Sequence, residues 1–322
     1  MNNTTATVQE SLRPYINNAI YTGQGVLQVS GNLIIVLVII TTKCLHRKEY
    51  VLPAALAICD CILGCGQLSA GTYRIYLLLT GRNRVLVSTW QCVWKPHNQF
   101  FLFGAYSVPT MSFLISIDRL IACSSIRLYV AMRRIHTASL VGTGCLICLL
   151  LHISSIWNSY QNIDLGKIFP QTCFTMFALS HDFTVYVLHM YQFVMSAATI
   201  VLYAVAMINL RFLLHDCDMT EILKIKLERQ VKVTKMLLLV IVCTLFLHTI
   251  PIGVMMYYDF MKASVVVYEF VLPICWIMVN FNSATNIVIY FIKNQDMRSG
   301  AARLICGLAN SRNTTSVTKL NN

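Results

Sequence analysis

A chain of 322 residues that is 57% hydrophobic and only 12% charged, with a mean hydropathy of +0.63, has too much apolar surface to hide in a soluble fold of that size. Lipid is the solvent that suits it. Its net charge of +12 lies in short segments between apolar runs, which excludes a basic nucleic-acid-binding face, and its 13 cysteines form no CxxC framework or Cys/His set of metal spacing.

The opening residues, MNNTTATVQE, are polar and lack a basic start followed by an apolar core. The first apolar run is therefore expected to act as an uncleaved anchor. Asn2-Asn3-Thr4 and Asn3-Thr4-Thr5 make Asn2 and Asn3 glycosylation acceptors. Windows of about 20 apolar residues then predict seven spanning helices. They cover 18–41, 50–73, 97–124, 137–159, 182–210, 232–257 and 266–291. The expected fold is an all-α membrane protein, a seven-transmembrane helix bundle with a short amphipathic C-terminal helix. Residues 1–17 form an extracellular tail, 18–291 the seven-span domain, and 292–322 a cytoplasmic amphipathic helix and tail. In that last segment Met297, Leu304 and Ile305 can share one face, which suits a helix on the membrane surface. Cys306 beside them is a palmitoylation candidate.

Orientation follows from basic residues between the spans. With the N-terminus outside, the inner segments and Arg119 hold 18 of the 25 Lys and Arg residues, which predicts an extracellular N-terminus and a cytosolic C-terminus. Cys92 and Cys173 are then the cysteines of the outer segments. A disulfide between them would tie the top of span three to the second outer loop, where the compartment is oxidising. The alternative is two free thiols.

Few polar residues interrupt the spans. Asn32 follows Gly31 in span one, Asp60 lies in "LAICD", Asp118 and Arg119 end span three, and Asn280, Asn282, Ser283 and Asn286 lie in "VNFNSATNIVIY" of span seven. A carboxylate in mid-membrane needs hydrogen bonds or a cation. These residues can serve function or act as polar glue between helices, and the two are compatible.

Gly31-Asn32, "LAICD", the Asp-Arg pair, Pro251 and "NIVIY" stand in the order and spacing of rhodopsin-like G-protein-coupled receptors. "FLFGAYSVPTMSFLISIDRL" and "ERQVKVTKMLLL" most resemble nematode serpentine chemoreceptors of the Srsx type. The resemblance implies a G-protein switch of Asp118, Arg119, Asn286, Tyr290 and Tyr203, with Arg119 held at rest by Asp118. It implies a polar core of Asn32, Asp60, Asn282, Ser283 and Asn286 that can take a sodium ion, and no other cofactor or metal. Departures accompany it: Leu120 after the Arg, Ile287 in place of a span-seven Pro, Thr249 at the usual Trp of span six, and Met195 at the usual Pro of span five. Cys92 is two residues farther from Arg119 than usual, so either span three carries an insertion or the bridge geometry differs.

A ligand pocket is expected between spans three, five, six and seven. Its candidate lining is Phe101, Leu102, Ala105, Tyr106, Val187, Tyr191, Ile252, Met256, Trp276 and Asn280, each of which could equally be ordinary packing. Phe101 replaces the Asp of amine receptors, which argues against a biogenic amine. The expected function is chemosensory: an extracellular small molecule or short peptide activates a heterotrimeric G protein at the plasma membrane, with membrane lipid as a further partner. A seven-span ligand-gated channel or an ion-coupled transporter is the alternative. No enzyme is expected. His152, His189 and His248 lie on three helices with no acidic cluster in view, and read as packed histidines.

Overall fold

In hydrocarbon a backbone must satisfy its own hydrogen bonds, which leaves long apolar segments the α-helix. The computed structural model describes residues 2–163, 168–215, 221–261 and 265–304. Seven of its helical segments are long and apolar enough to cross a membrane: span one Pro14–Thr41, span two Lys48–Leu79, span three Pro96–Ser124, span four Arg134–Gln161, span five His181–Leu214, span six Gln230–Phe260 and span seven Phe270–Lys293. The chain is a multi-pass membrane protein. Span one continues a helix that begins at Asn2, so the backbone of the expected tail is helical. Span three is the most enclosed and span four the most exposed, as befits a central and a lipid-facing helix.

Spans one and two pack closely because small residues let their backbones meet. A Cβ on Gly25 would stand 2.5 Å from the Leu68 backbone nitrogen. Gly31 makes room for Ile287, which stands where the receptors this sequence resembles carry a span-seven proline. The main core joins Val38, Leu56, Met111, Tyr203, Met236 and Tyr290, from six of the seven spans. A helix over 295–304 follows span seven, and the Asn294 side chain accepts from the Met297 N–H at its start. Met297 and Ala301 are buried in the main core, so its apolar face packs on the bundle.

Two wide π-helical turns interrupt the spans. One, Leu245–Thr249, stands directly before Pro251, whose ring cannot continue the regular hydrogen-bond pattern. The Thr249 hydroxyl reaches back to the Thr244 carbonyl at 3.3 Å. The other, Thr184–His189, lies in span five without any proline. Span seven is one helix despite Pro273.

At one end of the bundle, β1 (Leu86–Ser88) pairs antiparallel with β2 (Ile168–Pro170), with Val87 opposite Phe169. The Cys92–Cys173 disulfide is formed there, with the Cα atoms 5.2 Å apart. Its offset from Arg119 has a simple cause. Cys92 belongs to a separate short helix, Thr89–Val93, opened by a Ser88–Gln91 capping box, and span three begins afresh at Pro96. Span two also runs beyond its expected end. Arg74, expected in an outer loop, is buried inside it and donates to the carbonyls of Thr172 and Cys173 at 3.0 and 3.4 Å.

Candidate functional site

Asp118 and Arg119 lie at the end opposite the disulfide, both buried. Arg119 Nε donates to Asp118 Oδ2 at 3.0 Å, and Nη2 reaches the same oxygen. Nη1 donates to Gln230 Oε1 of span six at 2.8 Å, and Nη2 also donates to the Tyr129 hydroxyl at 2.8 Å. The network continues outward, since Gln230 Nε2 donates to Glu49 Oε1 at 3.1 Å. Lys48 Nζ donates to the carbonyls of Tyr129 and Met132 and stands 4.1 Å from the centre of the Tyr129 ring. Burial pushes the Tyr129 phenol above its ordinary range, partly opposed by the Arg119 charge. The phenol therefore keeps its proton, and it donates to Asp118 at 3.4 Å. A buried guanidinium is tolerated when its donors are filled. Here they are filled by span three, span six and the segment after span three, so the charge ties these elements together.

Above this layer the Tyr203 hydroxyl of span five donates to the Thr234 carbonyl of span six. The Tyr290 hydroxyl of span seven is buried without a hydrogen-bond partner. The two tyrosines share the main core but are not bonded to each other.

The Ser283 hydroxyl donates to Asp60 Oδ1, and Asn286 flanks the same carboxylate. Asp60 Oδ2 and Asn286 Oδ1 are buried and unpartnered. Asn32 and Asn282, expected in the same cluster, are bonded elsewhere. Asn32 donates to the Gln28 carbonyl of its own helix at 3.0 Å, and Asn282 Oδ1 accepts from the Thr244 hydroxyl at 3.2 Å. Their side chains satisfy the nearest backbone and hydroxyl groups first. Among the described residues no cluster of three His, Cys, Asp or Glu side chains could hold a metal ion.

Between this core and the disulfide end lies a cavity of about 20 Å³, room for about one water molecule. Phe101, Ala105, Trp276 and Asn280 of the expected pocket line it. The rings of Phe101 and Trp276 meet edge to face, 5.4 Å apart. Leu63, Gln192 and His248 line it as well, so span two takes part. The other expected residues lie elsewhere. Leu102 and Tyr106 are one position round the helix from Phe101 and Ala105, about 100° away. That turn sends them into the core beneath the disulfide, where Tyr106 bonds the Ser155 hydroxyl of span four at 2.7 Å. Tyr191 bonds the Thr110 hydroxyl at 2.6 Å. Ile252 and Met256 pack against Leu272 and Val279 between spans six and seven. Val187 sits half-buried in the wide turn of span five.

Residues 25–305 match the family described as serpentine type 7TM GPCR chemoreceptor Srsx. The chain belongs to that family. No curated protein matches it. A serpentine chemoreceptor family is a receptor family rather than an enzyme class, and the seven spans and the disulfide accord with it.

The geometry adds residues to this Srsx receptor that its sequence did not single out. Tyr129, Gln230 and Glu49 complete the Arg119 network. Gln230 stands inside the "ERQVKVTKMLLL" motif, where a neutral polar residue among bases was the available signal. His189 is not simply packed, since its Nδ1 lies 3.4 Å from Asp259 Oδ2 across spans five and six. His248 Nδ1 pairs with the Ser196 hydroxyl at 3.0 Å and His152 Nε2 with Gln99 Oε1 at 2.9 Å. The side chains of Asn2 and Asn3, and Cys306 altogether, lie outside the described residues.

Proposed function

We propose that this receptor sits in the plasma membrane with its N-terminus and disulfide end outside, binds an extracellular small molecule or short peptide, and activates a heterotrimeric G protein. The observation that carries the reading is the hydrogen bond from Arg119 to Gln230. It joins span three to the Arg119 end of span six. Outward movement of that end, about the wide turn before Pro251, requires this bond to break. A ligand that favours the opened conformer does so by its differential affinity for the two states.

Two further points support the reading. Basic residues crowd the Arg119 end, where they suit anionic lipid and a cytosolic partner. The unpartnered Asp60 oxygen, with the Asn286 and Ser283 side chains against the same carboxylate, makes a polar site of one carboxylate and neutral groups, whose charge suits a monovalent cation such as sodium. The Cys306 acylation and Asn2/Asn3 glycosylation sites belong to the same orientation.

The test is nucleotide exchange on a co-expressed G protein by wild type and Arg119→Ala. The variant is expected to lose exchange at equal surface expression. Equal exchange in the two would overturn the role given to Arg119, and ligand-gated ion current without any G protein would favour the channel.

A further inference from the structure

We propose that the cavity selects an uncharged ligand that presents a hydroxyl or N–H donor on a compact aromatic body. This rests on the receptor reading and narrows its ligand class. Gln192 decides the matter. Its Nε2 donates to the Ala105 carbonyl at 3.1 Å. A carbonyl only accepts, so the amide cannot be flipped. Oε1 is thereby turned away from that bond, and it is buried without a partner in a residue that lines the cavity. Asn280 lines the same cavity, and its Oδ1 is likewise buried and unpartnered. Both residues are at least 98% buried. Two idle acceptors in a low-dielectric site are costly, and a ligand donor or a water removes that cost.

Charge is selected against by the same wall. Among the described residues no Asp, Glu, Lys or Arg lines the cavity, and the one titratable side chain on its wall, His248, pairs through Nδ1 with the neutral Ser196 hydroxyl. The nearby Asp259 faces His189, whose ring packs against Trp276, and neither lines it. An ammonium or carboxylate would enter without a counter-ion. Phe101 and Trp276 supply aromatic surface at the site. In this conformer the space admits about one water, so a larger ligand requires the lining side chains to rearrange.

The experiment uses the purified full-length receptor and four probes of one shape: benzyl alcohol, toluene, benzoate and benzylammonium. Thermal unfolding is followed against probe concentration in wild type and in Gln192→Met, which keeps the volume and removes the acceptor. Benzyl alcohol is expected to raise the Tm of wild type at about tenfold lower concentration than toluene, with no rise from either ion. In Gln192→Met the advantage over toluene should vanish. Should that variant fail to fold, the four-probe order in wild type still decides. Equal effects of benzyl alcohol and toluene, a preference for either ion, no effect of any probe, or an undiminished alcohol preference in a folded Gln192→Met would each overturn the proposal. Nucleotide exchange measured in parallel separates the two readings. Discriminating binding without Arg119-dependent exchange counts against receptor coupling alone, and Arg119-dependent exchange without probe discrimination counts against this ligand class alone.

Discussion

The Arg119 end and the interior of the bundle handle buried polar groups in opposite ways. Around Arg119 the donors are filled from spans three and six and the segment after span three, and the chain of bonds runs on to Glu49. In the interior toward the disulfide, Gln67, Gln192 and Asn280 keep buried atoms with no partner. A closed network holds one arrangement against its alternatives, whereas idle acceptors leave free energy to be gained by whatever fills them. On the proposed function, the contrast suits a molecule whose Arg119 end stays shut until something is bound in the interior.

The largest expected effect severs the disulfide end from its fastening. Cys173 is both a disulfide partner and the residue whose carbonyl gathers Arg74, His97 and Asn98. Cys173→Ser is expected to cost about 2–5 kcal/mol of stability, read as a lower thermal midpoint of the purified receptor. Basal exchange per folded receptor should stay unchanged, because the Arg119 network does not touch this loop. A large rise in basal exchange would show that the two ends are not separable in the way the contrast requires.

Next in size is the lock itself. Gln230→Leu removes the span-six acceptor of Arg119 and also the bond to Glu49. A hydrogen bond to a charged group is worth about 1.5–3 kcal/mol, so ligand-independent exchange should rise about tenfold or more. Tyr129→Phe takes away one bond to Arg119 and one to Asp118 but leaves the link to span six intact. Because span six stays tied to Arg119, only part of that loss bears on opening, and basal exchange should rise about fivefold, the equivalent of about 1 kcal/mol. If Tyr129→Phe exceeded Gln230→Leu, the segment after span three, and not span six, would be the element held at rest.

The spans were legible because a 3.6-residue helix in lipid needs only length and apolarity, and "LAICD" and "NIVIY" fixed their register. Side-chain direction was less so. Phe101 and Ala105 line the cavity while Leu102 and Tyr106, their immediate neighbours, do not. One residue of helix rotation separates a pocket wall from a structural core, and no composition signal marks it. The partners of Arg119 were harder still. Gln230 is 111 residues away in sequence, and only the packed bundle brings it near. The wide turns at Thr184–His189 and Leu245–Thr249 left no trace beyond Pro251. The disulfide pair was legible from topology, but the Ser88 cap and the restart at Pro96 that place Cys92 depend on local backbone geometry.

The smallest expected effect probes the layer between the two ends. Thr244 of span six donates to Asn282 Oδ1 of span seven at 3.2 Å, and its hydroxyl also lies 3.0 Å from the Val240 carbonyl of its own helix. Thr244→Val keeps the side-chain shape and deletes the cross-helix bond. Interhelical bonds of this kind average about 0.6 kcal/mol, because the hydroxyl finds partners within its own helix when the neighbour is lost. Thermal stability should fall by that amount, and basal exchange should rise no more than about threefold. Thr244 lies one residue before the wide turn that begins at Leu245, so it tests whether span six is held along its length or only at its end. A change in basal exchange matching that of Gln230→Leu would move the lock from the Arg119 network to the pivot.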